Sequence, residues 1–168
     1  MKSERQNSFR PVSWRIVAAA SVLVVLVILF FALPAYRDYR VRSKVSEVFV
    51  SVDACRAFVA QVVQNTTASM LSAALFSCDG GASSGAKISK YLASIAVRGT
   101  AAITVTLDYR SLPELTRTSS TLTLVPLADP NRVLGSTDVR KPIFAWRCGS
   151  PQDGTTIPSQ YLPSNCRG

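Results

Sequence analysis

The chain contains no histidine. That absence removes the commonest general base and the commonest metal ligand together. A hydroxyl pair such as Ser119-Ser120 therefore has nothing to activate it as a nucleophile. No CxxC pair occurs, which argues against a zinc site or a thioredoxin-type redox site. No phosphate loop of the GxxxxGK(S/T) type is present, and no evident carboxylate pair. With these constellations missing, the chain reads as no enzyme, and no cofactor is expected. Acidic side chains are scarce, 10 against 19 basic, for a net charge of +9. Such an excess attracts nucleic acid or anionic lipid through long-range fields. Here it is spread out: Lys2, Arg5, Arg10 and Arg15 precede a long apolar run, Arg37, Arg40, Arg42 and Lys44 follow it, and the rest are scattered. Without a basic block or an arginine-rich tract interleaved with aromatics, DNA is only weakly supported as a partner.

What the chain does have is the uncharged run Ile16 to Leu33, IVAAASVLVVLVILFFAL. At about 18 residues and 1.5 Å each, it nearly spans a hydrocarbon core of about 30 Å. Trp14 and Tyr36 stand at its two ends, where interfacial aromatics belong. A secretory signal has a shorter apolar region and a small-x-small cleavage site, which the Pro34 region fits poorly, so the run reads as an anchor that stays.

After Pro34 the apolar pattern becomes periodic. Val41, Val45, Val48, Phe49, Val52, Cys55, Phe58, Val59 and Val62 step by threes and fours along one helical face, and Arg42, Lys44, Glu47, Asp53 and Arg56 occupy the other. The spacing predicts a helix carried on to about Gln64, roughly 75 Å from Trp14, with Pro34 removing one backbone donor on the way. Ala68 to Ala86, rich in small residues, reads as a connecting loop. Tyr91–Val97, a tight turn at Arg98-Gly99-Thr100, and Ala102–Leu107 read as strand, turn and strand. Thr118–Pro126 and Pro142–Cys148 read as two further strands. An antiparallel sheet with one apolar face would cover the helical stripe. The expected segments are 1–15 as a short cytoplasmic basic N-terminus or leader, 16–36 as the transmembrane half of the helix, 37–65 as its amphipathic half, and 66–168 as loop, sheet and C-terminal region.

Four cysteines, Cys55, Cys78, Cys148 and Cys166, all follow the apolar run. An even number in a membrane-anchored chain points to two disulfides in an oxidising compartment. That places the N-terminus in the cytoplasm and the rest outside it, where the basic residues flanking both ends of the run do not decide. Three pairings are open; proximity favours Cys55–Cys78 and Cys148–Cys166, each closure contributing roughly 3 kcal/mol on the loop-entropy model. Tyr36 and Tyr39 read as lipid-boundary anchors or subunit contacts. Asp38 and Glu47 read as solvated charge rather than as partners of Arg42 and Lys44, since such helical pairs contribute only tenths of a kcal/mol. Trp146 reads as a core residue of the last strand.

Several landmarks now fall in a specific order: Pro34-Ala35-Tyr36 closing the apolar run, Asp38-Tyr39, Val41-Arg42 with Val45-Ser46-Glu47, Lys90-Tyr91-Leu92-Ala93-Ser94, Trp146-Arg147-Cys148, and Tyr161-Leu162-Pro163-Ser164-Asn165-Cys166. From about Leu33 to the C-terminus the chain resembles the type IV pilins of Gram-negative bacteria. The resemblance implies an α+β fold, a long N-terminal helix packed on a four-stranded antiparallel sheet, and a C-terminal loop bounded here by Cys148–Cys166. It implies subunits held in inner-membrane lipid with the C-terminal domain in the periplasm. The pilus assembly machinery would then bundle them, with like copies or other pilins, into a cell-surface fibre serving attachment, twitching motility or DNA uptake. A uniformly apolar helix suits both lipid and a bundle of its own kind.

Family members also carry a short basic leader, Gly-Phe at the cleavage point and a glutamate at the fifth mature residue. Alignment on Pro34 puts Val12-Ser13 at the junction and Val17 at the acid. The substitute junction is Ser8-Phe9, which lengthens the mature helix by about four residues and sets Ser13 where the acid belongs. Two readings follow: a major or minor pilus subunit, or an uncleaved inner-membrane accessory or regulatory protein that stays out of the fibre.

Overall fold

The computed structural model describes residues 14–78 and 89–168. The chain divides into two compact units, Met1–Arg37 and Asp38–Gly168. One helix, α1 (Trp14–Asn65), contributes to both and runs through Pro34.

Within Asp38–Gly168, α1 turns a valine-rich face inward. Val41, Val45, Val48, Val52, Cys55, Val59 and Val63 are all buried, at steps of three and four. Each fully covered valine contributes on the order of 2 kcal/mol. Two positions depart from the stripe read in the sequence. Phe58 lies at the solvent edge of the face, and Val63 is buried in its stead. The helix ends at Asn65, whose Nδ2 donates back to the Gln61 carbonyl, and Thr66 Oγ1 accepts from the Ala68 N–H.

The stripe belongs to the same core as an antiparallel sheet: β1 (Leu92–Val97), β2 (Ile103–Leu107), β3 (Thr121–Asp129), β4 (Arg132–Val133) and β5 (Ala145–Cys148). β1 pairs with β2 and β2 with β3; β3 also pairs with β4 and with β5. Leu124 faces Ile103 on one side and Cys148 on the other, and Leu127 faces Val133 and Ala145. So β3 is central, β4 continues the row begun by β2, and β5 lies on the opposite edge. β1, β2, β3 and β5 are the four strands read from the sequence; β4 is an addition. It is a two-residue return after a turn in which the Asn131 N–H donates to Asp129 Oδ1. β3 also starts three residues later than its apolar pattern suggests. Thr116–Ser119 closes on itself first, through Ser119 Oγ, the Thr116 N–H and the Thr116 carbonyl. Pro126 is tolerated inside β3 because its missing N–H falls between the end of β2 and the start of β4, while its carbonyl accepts from Leu134.

The inward residues Leu92, Ile95, Ile103, Val105, Leu107, Leu122 and Leu124 alternate along the strands and join the helical valines in one cluster. The segment read as a connecting loop holds a short 3-10 turn, Ala73–Leu75, with Leu71 and Phe76 buried on either side.

Candidate functional site

The first feature is a surface. Every described side chain from Trp14 to Arg37 is exposed, including Leu23, Phe30 and Phe31 at 65%, 78% and 69%. Among the described residues, α1 is the one helix long and apolar enough to cross a membrane by length and composition. Hydrophobic surface of that extent requires a cover, from lipid or from other apolar helices. The one polar side chain of the run, Ser21, turns its hydroxyl back onto the Ala18 carbonyl at 2.8 Å, so it presents no open donor to a cover. Tyr36 and Tyr39 are exposed as well. The Ser8-Phe9 junction lies outside the described residues.

The second feature is the C-terminal loop. Cys148 and Cys166 are bonded across 4.7 Å between Cα atoms, and Cys55 and Cys78 across 5.5 Å. The first pair closes 18 residues onto β5; the second ties the segment after α1 back to the helix. Much else holds the 148–166 loop. Arg147 grips Asp153 with two hydrogen bonds of 2.6 Å, and its guanidinium pKa is raised by that bond. The Thr155 and Thr156 hydroxyls accept from the N–H groups of Thr123 and Thr121 on β3. Ile157 and Leu162 are buried. Gly149 has φ +80, and a Cβ there would lie 2.2 Å from the Cys166 carbonyl oxygen, so only glycine fits beside the bridge.

Arg42 reaches this loop from the helix. Its Nε and Nη2 both donate to the Gln160 carbonyl, at 3.2 and 2.8 Å. Glu47 accepts from Ser89 Oγ at 3.1 Å. Both therefore serve tertiary contacts, which the helical spacing did not disclose. Trp146 is half-buried at the core's margin, with the Arg56 guanidinium 5.5 Å from its ring centre and Arg56 also paired to Asp53.

A third feature was not legible in advance. Asp138 is buried, and its carboxylate accepts from Arg132 Nη1 (2.6 Å), the Gly135 N–H (2.9 Å) and Lys141 Nζ (2.9 Å). These bonds, led by the Arg132 guanidinium, hold its pKa well below the usual carboxylate range. The segment so fixed clips the end of the helix: the Arg140 N–H donates to the Val63 carbonyl and the Leu71 N–H to the Ser136 carbonyl. All three features are structural, built of cover, bridge and clamp.

Comparison with known proteins agrees with that character. The family model for pilin, a bacterial filament protein, matches residues 41–167. The chain therefore belongs to the pilin family. Among solved structures it is similar to a type IV pilin of Pseudomonas aeruginosa, with a TM-score of 0.56 at 22% identity, over 76% of this chain and 97% of that one. That likeness carries the fold: one long N-terminal helix packed on an antiparallel sheet. No curated protein matches the chain.

Proposed function

We propose that this pilin-family chain is a structural subunit, major or minor, of a type IV pilus. Its apolar helix holds it in the inner membrane with Asp38–Gly168 in the periplasm, and the assembly machinery then passes it into a surface fibre alongside other pilins. Attachment, twitching motility or DNA uptake are the roles such a fibre would serve. The observation that carries the reading is the bare apolar surface from Trp14 to Leu33 on a chain whose remainder folds as a pilin. The same surface suits lipid first and a helical bundle afterwards, so transfer between them exposes no new apolar area to water. The two bridges are part of this proposal, since an oxidising compartment is where they form and persist.

A second reading keeps the protein in the inner membrane as an uncleaved accessory or regulatory factor. It is favoured by the N-terminus: no glutamate stands at the fifth position after either junction, and Ser13 follows Ser8-Phe9 in that place. N-terminal sequencing separates the two. Chains beginning at Phe9 in sheared surface fibres are the expected result for a subunit. Chains beginning at Met1, found only in inner membranes, would establish retention. Peptide mass mapping without reductant is expected to recover Cys55 linked to Cys78 and Cys148 linked to Cys166.

A further inference from the structure

One corner of the sheet departs from regular pairing. β1 breaks register between Leu92 and Ser94, leaving Ala93 unpaired against β2. Bulges of this kind re-aim side chains and open the strand locally. Beside the bulge lies a pocket of about 360 Å³ lined by Ala93, Asp108, Tyr109, Arg110 and Arg117. The wall at Ala93 is only a methyl group, so the arginines are not screened from that side. Asp108, one of the lining residues, is held in place. Its N–H donates to the Tyr91 carbonyl at 2.8 Å, and its carboxylate accepts from the Arg110 N–H (3.0 Å) and Ser111 Oγ (3.3 Å). Those bonds orient the carboxylate while leaving lone pairs for another donor.

Two guanidiniums and one oriented carboxylate face the same space. Arg117 has no ion-pair partner among the described residues. The exposed hydroxyls of Thr116 and Thr118 flank it, 3.0 Å apart. Arg110 lies 5.9 Å from the Tyr109 ring centre, while Tyr91 is buried with Lys44 and Lys90 over its ring at 5.6 and 4.9 Å. Tyr91, buried beneath two lysines, offers no open face for stacking bases, and Tyr109 carries the Arg110 guanidinium on its ring. A phosphodiester backbone would gain from the arginines but meet repulsion at Asp108. A sugar acid needs both signs: cations for its carboxylate and an acceptor for its hydroxyls. Bidentate recognition of a carboxylate is what a guanidinium does best.

We propose that this corner binds a uronate residue of an acidic polysaccharide, with Arg110 and Arg117 on the carboxylate and Asp108 on ring hydroxyls. The inference rests on Asp38–Gly168 alone and not on fibre assembly, so the failure of either leaves the other standing. The test is equilibrium binding of the full-length chain, in phosphatidylcholine nanodiscs, to oligogalacturonate, neutral dextran and a short duplex DNA. Oligogalacturonate binds and dextran does not. Arg110→Gln and Arg117→Gln each weaken binding about tenfold, whereas Arg98→Gln, an exposed arginine in the β1–β2 turn, leaves it unchanged. Asp108→Asn is the deciding variant. Asparagine keeps an oxygen for the Arg110 N–H but is a poorer acceptor for a hydroxyl, so uronate binding falls about fivefold. Tighter binding by Asp108→Asn would overturn the proposal in favour of a plain anion surface. Equal weakening by Arg98→Gln would overturn it in favour of diffuse charge. So would DNA binding lost at Arg110 and Arg117 without uronate binding.

Discussion

Within α1, valine is the commonest apolar residue on both sides of Pro34, yet its burial differs: after Pro34 one face of valines is covered, and before it none is. Val22, Val24, Val25 and Val27 are 58%, 53%, 54% and 48% exposed, whereas Val41, Val45, Val48 and Val52 are 0–1% exposed. Residue type and helix propensity are the same in both, so neither accounts for the contrast. The difference lies in arrangement. Before Pro34 the apolar residues are continuous around the helix, which leaves no polar face for water. After it they step by threes and fours, and a sheet formed by the same chain covers them. One helix thus carries two burial contracts: one met within the molecule and one met by its surroundings.

Four experiments sharpen that contrast. The largest effect comes from placing the same charge in each region. Val48→Asp buries an unpaired carboxylate and costs more than about 5 kcal/mol, enough to unfold Asp38–Gly168 and erase its near-ultraviolet circular dichroism. Val25→Asp leaves that signal and the melting temperature intact but costs about 3 kcal/mol of membrane insertion, read by fractionation. Next is Cys148→Ser with Cys166→Ser. Opening the 18-residue closure lowers stability to denaturant by about 3 kcal/mol without changing membrane partition.

Asp138→Asn follows, at about 2 kcal/mol near neutral pH, since the charged carboxylate is what its three donors favour. Its folded pKa is depressed, so this stabilisation is fully present above the unfolded carboxylate value. Parallel melts of the two proteins should therefore differ at pH 7, begin to converge below about pH 4, and go on converging as pH falls through the folded value. The smallest effect is Arg147→Ala, about 1 kcal/mol, because the pair with Asp153 is part-exposed.

The helix and its stripe were legible because burial on one face writes a period of three and four into the sequence. The C-terminal end reads closely for the same reason, at about Gln64 against Asn65. Val63 was missed because the last turn meets the clamp segment as well as the sheet, its carbonyl accepting from the Arg140 N–H. Four strands showed through alternation; Arg132–Val133 did not, because two residues carry no period. The turn after β1 was legible, but its left-handed residue is Ala101 at φ 61 rather than Gly99. Single polar contacts far apart in sequence left no trace. Arg42 and Gln160 lie 118 positions apart, and nothing in either neighbourhood announces the other. The Asp138 clamp is local but depends on turn geometry that spacing does not encode. The resemblance to pilins covered the rest of the architecture; it runs through Ala93 in the Lys90–Ser94 landmark but does not disclose the bulge there.

Asp38–Gly168 covers its own apolar face, while the helix before it depends on a cover from outside. Expressing residues 38–168 alone in an oxidising compartment tests this most directly. A soluble monomer on gel filtration, melting cooperatively with the near-ultraviolet spectrum of the full-length chain, is the predicted result. An aggregated or non-cooperative product with its four cysteines oxidised would contradict it.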